Sequence, residues 1–288
     1  MRFSDEIDGY ELLDTTDGEK LERFGDFMFI RPDPQIIWKT DKTPEWRNAD
    51  AHYIRSDKGG GHWEFKREIP TQNLRCLDGK IRFTVRPTGF KHMGIFPEQA
   101  VNWKFLYDLI TSANRPLKVL NLFAYTGGAT LAAASAGAEV THVDASKGIL
   151  QWARENAALS GLSEKPIRWI NDDCEKFIRR EIKRGKRYDI IIMDPPSYGR
   201  GTTGEVWKLE DSIYDLIKLS AEVLTENPAA FLLNSYTTGL SADVMEYLLA
   251  LLLKSKFGGK VSSSAIGIKC ASSGLFLPCG STAIYTGE

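Results

Sequence analysis

Two rhythms of apolar and polar residues divide this chain of 288 residues. Up to about residue 95 the apolar positions come in short runs, such as Phe27-Met28-Phe29-Ile30, Gly61-His62-Trp63-Glu64-Phe65-Lys66 and Lys80-Ile81-Arg82-Phe83-Thr84-Val85, separated by Asp, Gly and Pro. Short aromatic runs of this kind predict a small antiparallel β-rich domain over residues 1–95. From residue 96 onward, apolar strands alternate with helical stretches. An entry helix is predicted at 103–113, strands at 118–123, 139–143, 167–171, 189–194 and 229–234, and a closing antiparallel hairpin from 260–269 and 274–285. This alternation predicts an α/β domain over 96–288 with a doubly wound, mostly parallel seven-stranded sheet.

The chemistry concentrates where two of these strands end. Val119-Leu120-Asn121-Leu122-Phe123-Ala124-Tyr125-Thr126-Gly127-Gly128 leads into a helix of small residues, and Val140-Thr141-His142-Val143-Asp144 forms the next strand. An apolar strand, a turn with adjacent glycines, a helix and a second strand closing on an acid form the βαβ unit that binds adenosine-containing cofactors. A dinucleotide needs G-x-G-x-x-G, because its pyrophosphate must approach bare backbone. Tyr125 and Thr126 occupy that approach here, so a cofactor without phosphate fits better, and S-adenosylmethionine is one. The simpler alternative is an ordinary turn whose glycines only relieve helix packing.

The second constellation is Ile190-Ile191-Ile192-Met193-Asp194-Pro195-Pro196-Ser197-Tyr198. Four consecutive apolar residues read as a strand buried on both faces, and Asp-Pro-Pro ends it in a rigid extended turn. An exocyclic amine is a poor nucleophile, because its lone pair is delocalised into the ring. The Asp194 side chain and the Pro195 carbonyl could bind both of its N–H groups and aim the lone pair at a methyl sulfonium, with Pro196 keeping the turn stiff. A surface carboxylate beside a proline-stiffened loop is the plainer alternative.

These segments resemble the class I S-adenosylmethionine-dependent methyltransferases, and within them the group of large-subunit ribosomal RNA methyltransferases acting on cytosine C5 and guanine. The resemblance also rests on Val143-Asp144-Ala145-Ser146, Trp152-Ala153-Arg154-Glu155-Asn156, Asn171-Asp172-Asp173-Cys174 and, upstream, Gly94-Ile95-Phe96-Pro97-Glu98-Gln99. It implies a site in which Phe123, Ala124, Tyr125, Thr126 and Gly127 hold the methionine end of the cofactor. It places Asp144, with Ala145 and Ser146, at the ribose. Asp173, beside Asp172 and Cys174, takes the adenine amino group, and Asp194 sits next to the transferred methyl. Asp172 could instead cap the following helix.

One departure bears on the reaction. Cytosine C5 becomes nucleophilic only after a cysteine thiolate adds to the ring, and in the C5 members that cysteine follows the strand after Asp-Pro-Pro. The corresponding stretch here, Phe231-Leu232-Leu233-Asn234-Ser235-Tyr236-Thr237-Thr238, has none. Transfer to nitrogen is therefore expected, with Ser197, Tyr198, Arg200, Asn234 and Tyr236 on the substrate side. Ser197 stands where amine methyltransferases usually place a stacking aromatic, and Tyr198 follows one position later.

Composition adds limits rather than direction. The formal net charge of −1 argues against a strongly basic coat but leaves room for a local patch, for which the cation-rich stretch 176–187 is one candidate and a solvated helix face the alternative. Trp38, Trp46 and Trp63, with Lys39, Arg47, Arg55 and Lys58, could form a stacking surface for nucleic acid, but a domain core is favoured. A loop rich in glycine over 199–204 could close on substrate, with Arg200 reaching a phosphate, or could be a plain connection. The four histidines are scattered and no cysteine pair has zinc spacing, so no metal is expected. Four cysteines and no long apolar run point to a cytoplasmic protein without membrane contact. The expected function is methylation of a base nitrogen in RNA, most naturally ribosomal RNA, and the oligomeric state stays open. The alternatives are a protein amide or small-molecule acceptor, or a cofactor-binding module that no longer transfers methyl.

Overall fold

The computed structural model describes residues 1–3, 7–56, 60–200, 206–237 and 239–287, with Arg200 described by its backbone alone. The expected hairpin tip at 57–61, with Lys58, and most of the glycine loop fall wholly or partly outside these residues. The chain divides into two units. One comprises Phe3–Val101 together with Gly267–Cys279; the other comprises Met1–Arg2, Asn102–Ile266 and Gly280–Glu288.

After the two-residue strand β1 (Arg2–Phe3), the β-rich unit is built on a five-stranded sheet in sequential order: β2 (Tyr10–Thr16), β3 (Glu19–Phe24), β4 (Phe27–Pro32), β5 (Ala51–Arg55) and β6 (Gly61–Phe65). Asp17 and Gly18 join β2 to β3 with φ of 50° and 78°. Both left-handed residues suit the tight Asp-Gly hairpin turn that matches strand twist. One pair departs from the antiparallel pattern, because β4 and β5 run parallel across residues 33–50. A separate hairpin pairs β7 (Gln72–Cys76) with β8 (Ile81–Val85).

The tryptophans of this unit are tied inward. Trp46 is buried and donates to Asp14 at 2.6 Å, Trp63 donates to the Thr88 carbonyl at 2.9 Å, and the more exposed Trp38 donates to the Thr15 carbonyl at 3.0 Å. A buried ion pair also lies here. Glu22, fully buried, accepts two bonds from Arg31 at 2.6 and 2.8 Å and one from the Tyr10 hydroxyl at 2.8 Å.

The second unit alternates strands with helices: α1 (Ala100–Ser112), β9 (Lys118–Leu122), α2 (Gly128–Ser135), β10 (Glu139–Asp144), α3 (Lys147–Leu159), β11 (Ile167–Asn171), α4 (Cys174–Lys183) and β12 (Ile190–Met193). There follow the small hairpin of β13 (Tyr198–Arg200) and β14 (Val206–Lys208), then α5 (Leu209–Ser220), β15 (Ala230–Ser235), α6 (Ala242–Leu249), β16 (Lys260–Lys269) and β17 (Phe276–Thr286). The main sheet is ordered β1-β16-β17-β15-β12-β9-β10-β11. Its centre, β15-β12-β9-β10-β11, is parallel, and β17 runs antiparallel to β15. Only residues 270–275 link β16 to β17, too few for a crossover, so these neighbours form a hairpin. The seven expected strands are present, and the short β1 makes an eighth.

Burial explains the central strands. All four residues of β12 and all six of β15 are buried, as parallel strands covered on both faces require. On one face, Ile191, Met193, Phe231 and Leu233 join Phe177, Ile213, Leu216, Ile217, Met245 and Tyr285 in one core. No helix among the described residues is long and apolar enough to cross a membrane.

Candidate active site

The order of β12, β9 and β10 places the reversal of strand order next to β9, where open α/β sheets bind ligands beyond the carboxyl ends of their strands. The register aligns those ends. Leu122 pairs with Met193 on one side and Val143 on the other, and Asp144 pairs with Asn171. The motifs singled out in the sequence therefore emerge along one edge.

The loop at 123–127, joining β9 to α2, is tightly coiled. Phe123, Tyr125 and Gly127 have φ of 54°, 49° and 96°. Left-handed backbone costs a residue with a side chain on the order of 1–2 kcal/mol, so neighbours must hold it. The Ala124 N–H donates to the Val143 carbonyl (3.1 Å), the Tyr125 N–H to Asp144 Oδ2 (2.9 Å) and the Gly127 N–H to the Ala124 carbonyl (3.1 Å). Asn156, fully buried on α3, donates to the Thr126 carbonyl at 3.0 Å. These three amides are engaged within the protein.

The two glycines serve different ends. A Cβ on Gly127 would lie 3.3 Å from that of Ala153 and on a left-handed backbone, whereas one on Gly128 would lie 2.3 Å from the Trp103 ring. Gly128 is thus a packing position. Beneath the loop, Asn121 donates to Thr130 (3.0 Å) and Thr130 bonds His142 Nδ1 (2.9 Å), which ties the first turn of α2 to the sheet. Burial pushes the pKa of His142 down to about 3, so the ring is neutral.

Asp144 is partly buried at the tip of β10. Burial raises its pKa, and the N–H groups of Ser146 and Tyr125 oppose that rise. Each carboxylate oxygen accepts one backbone N–H and keeps a second lone pair. Ser146 caps α3 by accepting from the Ile149 N–H, and Ala145, exposed beside it, has its carbonyl bonded by Asn171 Nδ2 at 2.9 Å.

Of the two neighbouring acids it is Asp173, not Asp172, that caps the helix. The cap of α4 is Asp173, whose Oδ1 accepts from the Lys176 N–H at 2.9 Å. Asp172, for which capping was the alternative, accepts the Asp173 N–H at 2.9 Å and pairs with Arg180. A capping side chain must sit on the extended residue directly before the first helical one, and Asp173 is that residue. Cys174 is buried and its Sγ accepts from the Phe123 N–H at 3.4 Å. Burial pushes its thiol far above the usual range. It is a loop anchor, not a nucleophile.

Asp194 follows Met193 at the end of β12, next to the Phe123 loop, and is partly buried; Pro195 is buried, while Pro196, Ser197 and Tyr198 are exposed. Three bonds fix the turn. Trp207 Nε1 donates to the Pro196 carbonyl (2.7 Å), the Leu209 N–H to the Ser197 carbonyl (3.1 Å) and the Thr237 hydroxyl to Ser197 Oγ (2.6 Å). The Trp207 ring also lies 6.1 Å from that of Phe123. Tyr198 is 53% exposed. The Arg200 side chain and residues 201–205 lie outside the described residues.

Asn234 is not where the sequence reading put it. It is buried, and its Oδ1 accepts from Asn102 of α1 (3.0 Å) and Thr282 of β17 (2.6 Å), a polar knot between helix and sheet. Every residue of β15 is covered on both faces, so the chain surfaces only at the half-buried Tyr236 and Thr237. The sequence reading missed the structural parts of Asn156, Trp207 and Thr237. Asn156 stood within a quoted motif, but no local pattern shows which carbonyl it reaches.

A family profile described as S-adenosylmethionine-dependent methyltransferase matches residues 51–227. A solved SAM-dependent methyltransferase from Agrobacterium tumefaciens superposes with a TM-score of 0.90 at 41% identity, covering 98% of this chain and 91% of that one. A second solved structure, from Streptococcus mutans, shares the fold at a TM-score of 0.72 and 19% identity, over 96% of this chain and 75% of the other. Among curated relatives, ribosomal RNA large subunit methyltransferase K/L of Shewanella frigidimarina is 36% identical over 64% of this chain and 23% of its own length. The chain thus spans about a quarter of the curated relatives it matches. With a matching profile over more than half its length and a near-full-length likeness in structure, the chain belongs to the S-adenosylmethionine-dependent methyltransferases.

Proposed function

We propose that the enzyme methylates a nitrogen of an RNA base, with ribosomal RNA as the substrate. The observation that carries this reading is the Asp194-Pro195-Pro196 turn, clamped by Trp207 beside the coiled Phe123 loop, without a reactive thiol. All four cysteines are buried, so the nucleophile that cytosine C5 chemistry requires is missing. The name of the Shewanella relatives supports ribosomal RNA.

The cofactor, when bound, supplies a methyl group on a positively charged sulfur. The coiled loop suits it, with residues 123–127 around its methionine end. Asp144 accepts the ribose hydroxyls with its remaining lone pairs, and Asp173 keeps one oxygen for the adenine amino group after capping α4. Asp194 accepts an N–H of the target base and holds its lone pair in line with the methyl, so that positioning does most of the catalytic work. Its carboxylate is then in place to receive the proton that the methylated nitrogen releases. Tyr198 stacks on the base. The β-rich unit contributes to choosing the RNA.

Incubation with radiolabelled S-adenosylmethionine and total RNA from a strain lacking the gene should label a guanosine or adenosine on nucleoside digestion. Labelled 5-methylcytidine would refute nitrogen transfer, and label found only in protein would refute an RNA acceptor. Asp144→Ala should weaken cofactor affinity by about 10- to 100-fold by calorimetry, the loss of two charge-assisted bonds. An unchanged Kd would remove Asp144 from the ribose site.

A further inference from the structure

The amino edge of the same parallel sheet carries a second concavity, of about 860 Å³. It forms where strands begin: Lys118 opens β9, Glu139 opens β10, and Tyr188-Asp189 leads into β12. Six cations and three carboxylates line it.

Its floor is electrically settled. The Glu181 side chain is fully buried and accepts from the Tyr188 hydroxyl (2.6 Å), Arg168 (3.0 Å) and Arg184 (2.9 Å). Asp189 accepts from Arg115 (2.7 Å) and from the Lys118 N–H (2.8 Å). The rim is not balanced in this way. Lys118, Lys165, Lys186 and Arg187 are exposed there against a single exposed carboxylate, Glu139. Among the described residues, none of these four basic side chains forms an ion pair.

Resting on the RNA reading above, we propose that this cleft binds the phosphate backbone of the RNA substrate at a stretch away from the target base. Unpaired Lys and Arg around a concavity neutralise phosphates and release counterions. The floor has no exposed aromatic ring for a base to stack on, and its polar groups are already engaged. Such a site positions RNA without reading its sequence. The distance is suitable: a five-residue strand spans roughly 17 Å, so the cleft and the catalytic edge fall within one folded RNA element. Helix α4 runs between them, from its Asp173 cap to the Gly185 turn, with Lys176 and Lys183 exposed along it.

The test compares the full-length triple variant Lys165→Gln, Lys186→Gln, Arg187→Gln with a control of equal charge change, Lys218→Gln, Lys254→Gln, Lys256→Gln. Filter binding of end-labelled large-subunit ribosomal RNA across a salt series and methyl transfer into it are both measured. The cleft variant should flatten the slope of log K against log salt by about 2 to 3 and raise the RNA KM about tenfold. Its kcat and cofactor Kd should stay at the wild-type values, as should all properties of the control. If the cleft variant binds and methylates RNA like the wild type, the cleft proposal falls and the RNA reading stands. If the slope flattens but no protein labels RNA, the cleft stands and the RNA acceptor reading falls. If the control loses as much affinity as the cleft variant, binding is a matter of overall charge and the proposal is overturned.

Discussion

Asp194→Ala should lower kcat for methyl transfer by about 10²- to 10³-fold while cofactor affinity stays within a few-fold. The size follows from what the residue is asked to do. It forms no bond to the methyl group, so its removal leaves the displacement possible but lets the target amine turn its lone pair away. Trp207, Leu209 and Thr237 hold the turn through Pro196 and Ser197 in either variant. Asp194→Asn keeps an acceptor oxygen without the charge and should fall between wild type and alanine. Single-turnover rates with saturating cofactor give the comparison. If cofactor binding is lost together with activity, Asp194 belongs to the cofactor's site rather than the acceptor's.

The second large effect is on stability and lies in the β-rich unit. Arg31→Met should destabilise that unit by about 3–5 kcal/mol, because it strands Glu22, a fully buried carboxylate, without its bidentate partner. Lys20, 3.6 Å from Glu22, offsets part of the loss and favours the lower end of that range. The pair also sets an acid limit. Burial alone would raise the Glu22 pKa, but Arg31 and then Lys20 outweigh it and hold it near 2, against an ordinary value of 4.5. With the folded pKa below the unfolded one, the stabilisation is complete above about pH 4.5 and is lost as pH falls toward 2. Urea unfolding at neutral and acid pH reads both effects. The Arg31→Met variant should show a smaller acid slope than wild type, and a neutral-pH loss under 1 kcal/mol would mean the pair is not the constraint it looks.

What could be read from the sequence depended on whether the signal was local. The strand at 190–193 announced itself as an unbroken apolar run, those at 118–122 and 230–235 as mainly apolar ones, and Asp-Pro-Pro marked the ligand edge, because strand burial and proline geometry are written into neighbouring residues. Asp172 and Asp173 were indistinguishable by type; only the backbone turn at 173 decides which one caps. Asn234 looked polar and therefore available, yet its partners Asn102 and Thr282 are 132 and 48 positions away. The parallel pairing of β4 with β5 and the inclusion of Gly267–Cys279 in the β-rich unit were hidden for the same reason, since long-range pairing leaves no local mark.

That last inclusion has a consequence for how the protein is made. One core of the β-rich unit joins Leu12 and Ile36 to Ile268, Cys270, Leu277 and Cys279. While the ribosome is still adding residues 102–266, Leu12 and Ile36 lack the four C-terminal members of their core. At about 5–20 residues per second that interval lasts roughly ten to thirty seconds. The other unit waits as well, because β15 is flanked by the part of β17 made last. Neither unit can finish before residue 267 is made, so nascent chains should depend on shielding of their apolar surface until residues 267–286 emerge, and then complete both units in close succession.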